Sequence, residues 1–292
     1  MLSVRMLGVL TISVDGNRIN DDLGPTGRLL SGYLFENIDQ THRRERLVDM
    51  FWGHLDPDRA RPAFNTALWR LRKLLARERE SDGGRNLRTF GSEIVLERAP
   101  WLSVDTHCFV AAVEQWIEQQ SAPEIQSCVV RLEAAIRNYA GPFLEGEDAD
   151  WILDERERLH TLYVRAEFEL LRCYGHAECY EEAIAAARRI LAVDAFRESV
   201  LRSLVLLFVL NGQRAKALHY YDQWRAGFRN ELGIDPMPQT ARLMDDIRSG
   251  GIFENIDALK EQFFCAAPKA ALLGKRGSPY VRLAAVESVM TR

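Results

Sequence analysis

The feature that most constrains the fold is an amphipathic stretch from about Asp58 to Arg79. Its apolar residues recur at helical spacing and form one stripe: Ala60, Phe64, Ala67, Leu68, Leu71, Leu74 and Leu75. The residues off that stripe are mostly basic: Arg61, Asn65, Thr66, Trp69, Arg70, Arg72, Lys73 and Arg77. Residues 43–79 carry ten Lys+Arg and five Asp+Glu, a local net charge of +5. A basic helix face is most often only a solvated surface, so its interpretation depends on the elements around it.

The surrounding elements are predicted from periodicity and turn residues. In order they are strands 3–7 and 10–14, helices 25–36, 43–52 and 58–79, and a hairpin of strands 87–90 and 94–97. Asp15-Gly16-Asn17 is the predicted turn after the second strand, and Thr41 is the predicted N-cap of the second helix. Strands, three helices and a terminal hairpin form the order of a winged helix, so residues 1–100 are predicted to be a winged-helix DNA-binding domain.

The rest of the chain is predicted to be helical. Ala183 and Ala217 occupy matching positions in two similar segments, and their separation of 217 − 183 = 34 residues is the period of TPR helix pairs. Each segment should begin a helix in which a small alanine lets two helices approach closely. Residues 101–250 are therefore predicted to be a TPR-like domain. Residues 251–292 form an extension of unknown role, with one further helix near Phe253–Phe263 and a short one in the last dozen residues. The fold class is multidomain, α+β followed by all-α.

Charge and composition limit the function classes. The net charge is −4 for the whole chain, but residues 1–100 carry 16 Lys+Arg against 14 Asp+Glu, and the remainder carries 22 against 28. This asymmetry allows one domain that faces nucleic acid and one that does not. No secretory signal is visible, and the longest apolar run, 200–210, is about half of a membrane span. Five cysteines without a CxxC pair fit a reduced cytosol, so a cytoplasmic protein with no membrane partner is expected.

Several patterns that suggest chemistry fail on inspection. Gly274-Lys275 lacks the earlier glycine and the following Ser or Thr of a phosphate-binding loop. His176 and Cys179 have no second pair of ligands, and the acidic stretch 145–150 lacks the spacing of a calcium loop. No nucleophile-elbow or zinc-protease motif is present. We therefore expect no enzyme, no catalytic residue, no metal site and no cofactor.

The two halves resemble a known family. Residues 46–53 (RLVDMFWG) and 69–75 (WRLRKLL) resemble the OmpR/PhoB-type winged helix of the Streptomyces antibiotic regulatory protein (SARP) family. Residues 139–144 (YAGPFL), Trp151, 155–159 (ERERL) and 230–238 (NELGIDPMP) resemble its bacterial transcriptional activator domain, which is TPR-like and serves dimerisation, regulation and partner contacts. The resemblance implies a transcription regulator, expected to be an activator, that binds double-stranded DNA as a homodimer on direct repeats and contacts RNA polymerase.

The resemblance also implies roles for individual residues. Arg70 stands where a base-reading arginine is expected, with Trp69, Asn65 and Thr66 on the same side of the helix. Arg61 and Lys73 would contact phosphates, and Arg88 is the remaining basic residue of the wing. The sequence departs from the family at residues 91–94 (GSEI), which replace a Gly-Tyr pair, and Glu93 would repel phosphate. Two alternatives stay open for Trp69, stacking on a sugar or covering the core, and Arg72 is expected to face inward and pair with an acidic group.

Two rival functions remain from the sequence alone. A helical-repeat adaptor with a degenerate winged helix would also fit, because residues 1–100 have a net charge of only +2. A ligand sensor, in which a small molecule in the TPR-like groove switches DNA affinity, is the third hypothesis. No residue pattern identifies such a ligand.

Overall fold

The computed structural model describes residues 1–19, 23–76, 86–118 and 125–264. The predicted break at 82–84, the end of the third helix beyond residue 76, the loop at 274–279 and the last short helix lie outside these residues. Contacts divide the chain into two compact units. The first comprises 1–112 and 134–161, and the second comprises 113–133 and 162–292.

The first unit begins with a four-stranded sheet. Its strands are β1 (Leu2–Arg5), β2 (Thr11–Val14), β3 (Asn17–Arg18) and, much later in the chain, β7 (Leu102–Val104), in the order β3-β2-β1-β7. β1 pairs antiparallel with β2 and parallel with β7. The turn after β2 is shorter than predicted, because Asn17 already pairs with Val14 and only Asp15-Gly16 connects the strands. Both turn residues have positive φ, 48° and 81°, which matches the twist of a two-residue hairpin.

Three helices and a second sheet follow. The helices are α1 (Pro25–Glu36), α2 (Arg44–Trp52) and α3 (Pro57–Leu75), and the sheet contains β4 (Thr41–Arg43), β5 (Leu87–Phe90) and β6 (Glu93–Leu96) in the order β4-β6-β5. The predicted N-cap role of Thr41 is wrong. Thr41 pairs with Val95 in the β4–β6 ladder, so Arg43 occupies the N-cap position and makes no side-chain cap.

The predicted helical region consists of eight helices within the described residues. They are α4 (Asp105–Glu118), α5 (Ile125–Arg137), α6 (Asp150–His176), α7 (Tyr180–Val193), α8 (Glu198–Leu210), α9 (Arg214–Leu232), α10 (Pro238–Ser249) and, after a 3-10 turn, α11 (Ile256–Phe264). The repeat prediction holds at its two anchor points. Tyr180 and Arg214, 34 residues apart, begin α7 and α9, and Ala183 and Ala217 are both fully buried. Gly233 ends α9 in the left-handed conformation that glycine favours.

The first compact unit does not end at residue 100, where the sequence prediction placed the domain boundary. The segment 142–145 runs beside residues 6–8: Gly8 N–H donates to the Pro142 carbonyl (3.0 Å), and Leu144 N–H donates to the Met6 carbonyl (2.8 Å). The Arg156 guanidinium then fixes this segment by donating to the carbonyls of Phe143, Leu144 and Glu147. The residues that carry the YAGPFL resemblance therefore complete the N-terminal unit.

Asp105 joins the end of β1 to the start of α4. Its carboxylate accepts hydrogen bonds from the backbone N–H groups of Met6 (2.8 Å), Leu7 (3.0 Å) and Thr106 (2.8 Å). Burial raises the pKa of Asp105 above its usual value, although these three donors act in the opposite direction. One side chain thus satisfies the amides of Met6 and Leu7, 99 and 98 residues away in sequence, as well as that of its neighbour Thr106.

The described ranges contain neither a membrane-spanning helix nor a metal-binding cluster. Every helix there is too short or too polar to cross a bilayer. No cluster of three or more His, Cys, Asp or Glu side chains within those ranges could hold a metal ion.

Candidate nucleic-acid interface

α3 has the two faces that the sequence predicts. Pro57 occupies the first turn, where its missing N–H costs nothing, and Asp58 places a negative charge near the helix N-terminus. The seven residues of the predicted stripe are all buried against the rest of the unit, and α1 and α2 pack against this helix. The core therefore fixes the rotation of α3 about its axis and determines which residues face outward.

The structure places all six predicted α3 residues on its exposed face. Arg61, Asn65, Trp69 and Lys73 follow one another at intervals of four and form one ridge, while Thr66 and Arg70 form a second ridge beside it. A Cβ atom built at Gly24 would lie 3.6 Å from Nη1 of Arg70, so this guanidinium lies beside the first turn of α1. The Thr66 hydroxyl donates its proton to the Pro62 carbonyl within the same helix (2.9 Å).

Trp69 is not a core residue. Its side chain is 58% exposed, and Nζ of Lys73 lies 5.3 Å from its ring centroid. This excludes the alternative in which Trp69 covers the core. The pair presents an aromatic face and a cation together, a combination that suits stacking on a sugar or base beside a phosphate.

Arg44 belongs to this surface although the sequence reasoning missed it. It begins α2, its guanidinium donates to Oδ1 of Asn65, and the same group lies 5.5 Å from the Phe64 ring centroid. Arg44, Arg61 and Asn65 line a cleft of about 660 Å³ between α2 and α3. Because an asparagine that reads adenine uses both its oxygen and its amide, Asn65 would have to release Arg44 to do so. The signal available in the sequence was only the basic run Arg43-Arg44, which has no partner at fixed spacing.

Arg72 faces the hairpin rather than an acidic group, so that expectation is wrong. Its Nη2 donates to the Thr89 hydroxyl (2.5 Å) and its Nε to the Leu87 carbonyl (3.4 Å), both on β5. Two neutral oxygens on the strand take the place of the predicted carboxylate. Arg72 thereby ties α3 to the β5–β6 hairpin and fixes their relative position.

The β5–β6 hairpin carries Arg88 on its exposed surface. Nε of Arg88 lies 3.0 Å from Oε2 of Glu97, so its charge is paired within the hairpin. Glu93 is exposed at the turn and lies opposite Arg43 in the β4–β6 ladder. Phe90, 56% exposed beside the turn, was not among the predicted site residues, and an apolar residue in a hairpin strand gives no signal for such exposure.

A buried carboxyl cluster supports the C-terminal end of α1. The Thr106 hydroxyl donates to Oε2 of Glu36 (2.6 Å), and Nε2 of His107 lies 2.9 Å from the Glu36 carbonyl oxygen. Arg158 approaches Oε1 of Glu36 at 3.9 Å. Burial, assisted by the nearby Glu155 carboxylate, raises the pKa of Glu36 from 4.5 to about 7, while the hydrogen bond donated by Thr106 acts in the opposite direction.

This cluster predicts a pH-dependent stability of the first unit. Because folding raises the pKa of Glu36, its contribution is fully present below pH 4.5 and is lost as the pH rises towards about 7. We expect Glu36→Gln to unfold like the wild type near pH 4.5 and to be more stable by about 1–3 kcal/mol at pH 8. Urea denaturation at both pH values measures this difference. Glu157→Gln, an exposed position on α6, is the control and should leave the pH dependence unchanged; a wild-type slope retained in Glu36→Gln would contradict the assignment.

The chain is similar to a family of known proteins. Residues 104–248 match the family model of the bacterial transcriptional activator domain. AfsR of Streptomyces griseus is 26% identical over 235 residues, which are 80% of this chain and 23% of AfsR. MoaR1 of Mycobacterium tuberculosis, a transcriptional regulatory protein, is 26% identical over 258 residues, which are 83% of this chain and 78% of MoaR1. The chain belongs to the SARP-type transcriptional regulators.

A third relative of this SARP-type regulator is similar to it in sequence and has a solved structure. The transcriptional regulatory protein EmbR of Mycobacterium tuberculosis is 25% identical over 291 residues, covering 94% of this chain and 70% of EmbR. The solved structure of EmbR in complex with a low-affinity phosphopeptide superimposes with a TM-score of 0.70 at 20% identity, over 91% of this chain and 73% of that one. At that identity the superposition establishes a shared fold. The regulator spans most of MoaR1 and EmbR but less than a quarter of AfsR.

Proposed function

We propose that this SARP-type regulator is a transcription activator that reads double-stranded DNA in the cytoplasm with a winged helix-turn-helix. In this proposal α2 and α3 form the helix-turn-helix, α3 enters the major groove and the β5–β6 hairpin is the wing. The observation that carries the proposal is the exposed face of α3, on which Arg61, Arg70 and Lys73 accompany Asn65 and Trp69. The proposal requires no catalytic residue, cofactor or metal.

Each residue of that face has a chemical task in the proposal. Arg70 would donate to the O6 and N7 acceptors of a guanine, the commonest specific contact in the major groove. Arg61 and Lys73 would neutralise phosphates, and Trp69 would stack against a sugar at the groove edge. Arg88 would contribute less than predicted, because binding phosphate competes with its ion pair to Glu97.

Substitutions of Arg70 and Lys73 separate base reading from charge. After selection of a binding site from random DNA, Arg70→Ala should weaken binding to that site by about 1–3 kcal/mol and change binding to scrambled DNA much less. Lys73→Ala should weaken both DNAs equally and lower the salt slope by about one. Fluorescence anisotropy at several salt concentrations measures both effects, with Arg225→Ala as a control outside the first unit. Equal losses on both DNAs for Arg70→Ala would reject its base-reading role.

We further propose that the helical repeats, a TPR-like domain, serve dimerisation or contact with RNA polymerase. The repeats support this proposal because α7 packs on α8, α8 on α9, and α10 on both α8 and α9, and stacked helix pairs of this kind create extended binding surfaces. Analytical ultracentrifugation of the full chain, with and without its selected DNA, tests the homodimer. A monomer that binds one half-site alone under all conditions would reject it.

A second candidate function is an adaptor whose winged helix no longer binds DNA. The observation that favours it is the hairpin, in which Glu93 is exposed and Arg88 is paired with Glu97. Elution from heparin already at a low salt concentration, together with no enrichment from random DNA, would support the adaptor and contradict the regulator proposal.

A further inference from the structure

The second compact unit contains a groove that the proposed DNA interface does not use. It has a volume of about 680 Å³, within the range of small-molecule sites, and four helices contribute to it. Phe168 and Arg172 come from α6, Arg202 from α8, Arg242 from α10 and Phe263 from α11. All of these residues belong to one unit, so the groove is formed within a single packed body.

The groove is positively charged. Arg172, Arg202 and Arg242 line it, and Asp246 is the only acidic residue among the described residues of its lining. Arg242 is exposed and has no ion-pair partner in the part of the chain that the structure describes. Three guanidinium groups around one cavity create a field that favours an anion, because low-dielectric walls strengthen their combined potential.

Arg172 has a hydrogen-bond donor that the described residues leave unsatisfied. Its side chain is only 15% exposed, and its Nη2 is buried without a hydrogen-bond acceptor among residues 1–19, 23–76, 86–118 and 125–264. Within the described residues its ion pair joins Nη1 to Oε1 of Glu169 at 3.6 Å, a distance too long for a strong charge-assisted hydrogen bond. A buried donor without an acceptor carries a desolvation penalty, and an anion that reaches Nη2 would remove it.

Arg202 is held in place before any ligand arrives. Its Nη1 donates to the Thr240 hydroxyl (3.0 Å), which in turn donates to Oε2 of Glu198 (2.5 Å). The same carboxylate accepts the backbone N–H of Met237, so the network is anchored at the start of α10. A guanidinium fixed in this way loses little conformational entropy on binding.

The rest of the lining is mixed: Ser199, Ser203, Gln239 and Gln262 are polar, and four further residues are apolar. Phe168, Leu243, Leu259 and Phe263 line the cavity beside the three arginines. A fully hydrated inorganic ion would leave these surfaces in contact with water. A molecule with an anionic head and an apolar body would satisfy both parts of the cavity.

We propose that this groove binds a small organic anion, a carboxylate or phosphate monoester with an apolar chain or ring. The head group accepts hydrogen bonds from Arg172, Arg202 and Arg242, and the apolar portion lies against Phe168 and Phe263. This proposal does not depend on the DNA-binding proposal, because it concerns the second unit alone.

Isothermal titration calorimetry of the full chain tests the site with three probes of equal chain length. These are octanoate, octyl phosphate and the neutral 1-octanol. We expect at least one anionic probe to bind tenfold or more tightly than 1-octanol, and the tighter of the two anions identifies the head group. Equal affinity for the neutral and anionic probes, or binding of none of them, would overturn the proposal.

Variants connect the binding to the groove. Arg242→Gln changes an exposed side chain and should preserve folding, while weakening the preferred anion at least fivefold; Arg172→Gln should weaken it at least tenfold. Arg225→Gln is the matched control, since Arg225 lies on α9 outside the groove and pairs with Asp235. Unchanged affinity in Arg242→Gln and Arg172→Gln would overturn the assignment, and thermal unfolding of each variant shows that the comparison is between folded proteins.

Discussion

Replacing Arg189 with Met lowers the free energy of unfolding of the second unit by about 3–5 kcal/mol. Arg189 on α7 donates through Nε (2.5 Å) and Nη2 (2.8 Å) to the two carboxylate oxygens of Glu167 on α6. Glu167 is fully buried, and its Oε1 also accepts a hydrogen bond from the Tyr163 hydroxyl at 3.1 Å. Removal of the guanidinium would leave a buried carboxylate without its counter-charge, the most costly way to break such a pair.

The expected result can be separated from a simple loss of side-chain packing. The double variant Glu167→Leu with Arg189→Met removes both charges and should recover most of the lost stability, because no unpaired charge remains. Arg188→Met is the neighbouring control: Arg188 is exposed and only stacks over Phe208 at 5.7 Å, so its loss should cost about 1 kcal/mol or less. Guanidinium denaturation of the wild type and of the three variants measures these differences in the free energy of unfolding. A double variant as unstable as Arg189→Met would contradict the buried-charge explanation.

Replacing Asp105 with Ala should destabilise the first unit by about 3 kcal/mol. The N–H groups of Met6 and Leu7, both buried residues, and of Thr106 would lose their acceptor. These amides lie where β1 ends and α4 begins, so the loss also loosens the connection between the sheet and the first turn of that helix. Denaturation monitored by tryptophan fluorescence measures the change, since Trp52 and Trp151 belong to this unit.

The Asp105→Asn variant distinguishes the acceptor role from charge. An asparagine keeps one acceptor oxygen but places an amide donor where the second carboxylate oxygen accepts from Leu7, so it should lose at least half of the stability lost in Asp105→Ala. Asp150→Ala, an exposed first-turn residue of α6, should cost about 1 kcal/mol or less. If Asp105→Asn were as stable as the wild type, neither the second acceptor oxygen nor the charge of Asp105 would be needed, and the explanation by three accepted hydrogen bonds would be contradicted.

Local rules account for what the sequence predicted well. The bounds of α1 were predicted at Pro25 and Glu36, because a proline begins the helix and its apolar face has helical spacing. The outward face of α3 followed from its leucine stripe in the same way. The 34-residue repeat placed the starts of α7 and α9, because each repeat packs against its neighbours through similar small residues.

The errors came from contacts between residues distant in sequence. Thr41 is a good N-cap residue locally, but pairing with Val95 places it in a strand. Arg72 was expected to meet a carboxylate, and two neutral oxygens of β5 take that role. Arg44 joins the candidate interface only because α2 and α3 pack so that it reaches Asn65. None of these relations has a spacing that a single sequence displays.

The discontinuity of the first unit along the chain has a consequence for how the protein is made. Residues 6–8 emerge from the ribosome early, but their partners at 142–145 follow some 135 residues later. At a synthesis rate of about 5–20 residues per second, the N-terminal strands wait roughly 7–27 s for them. A fragment cut near residue 100 never receives them, so a DNA-binding fragment of this regulator should extend to residue 161.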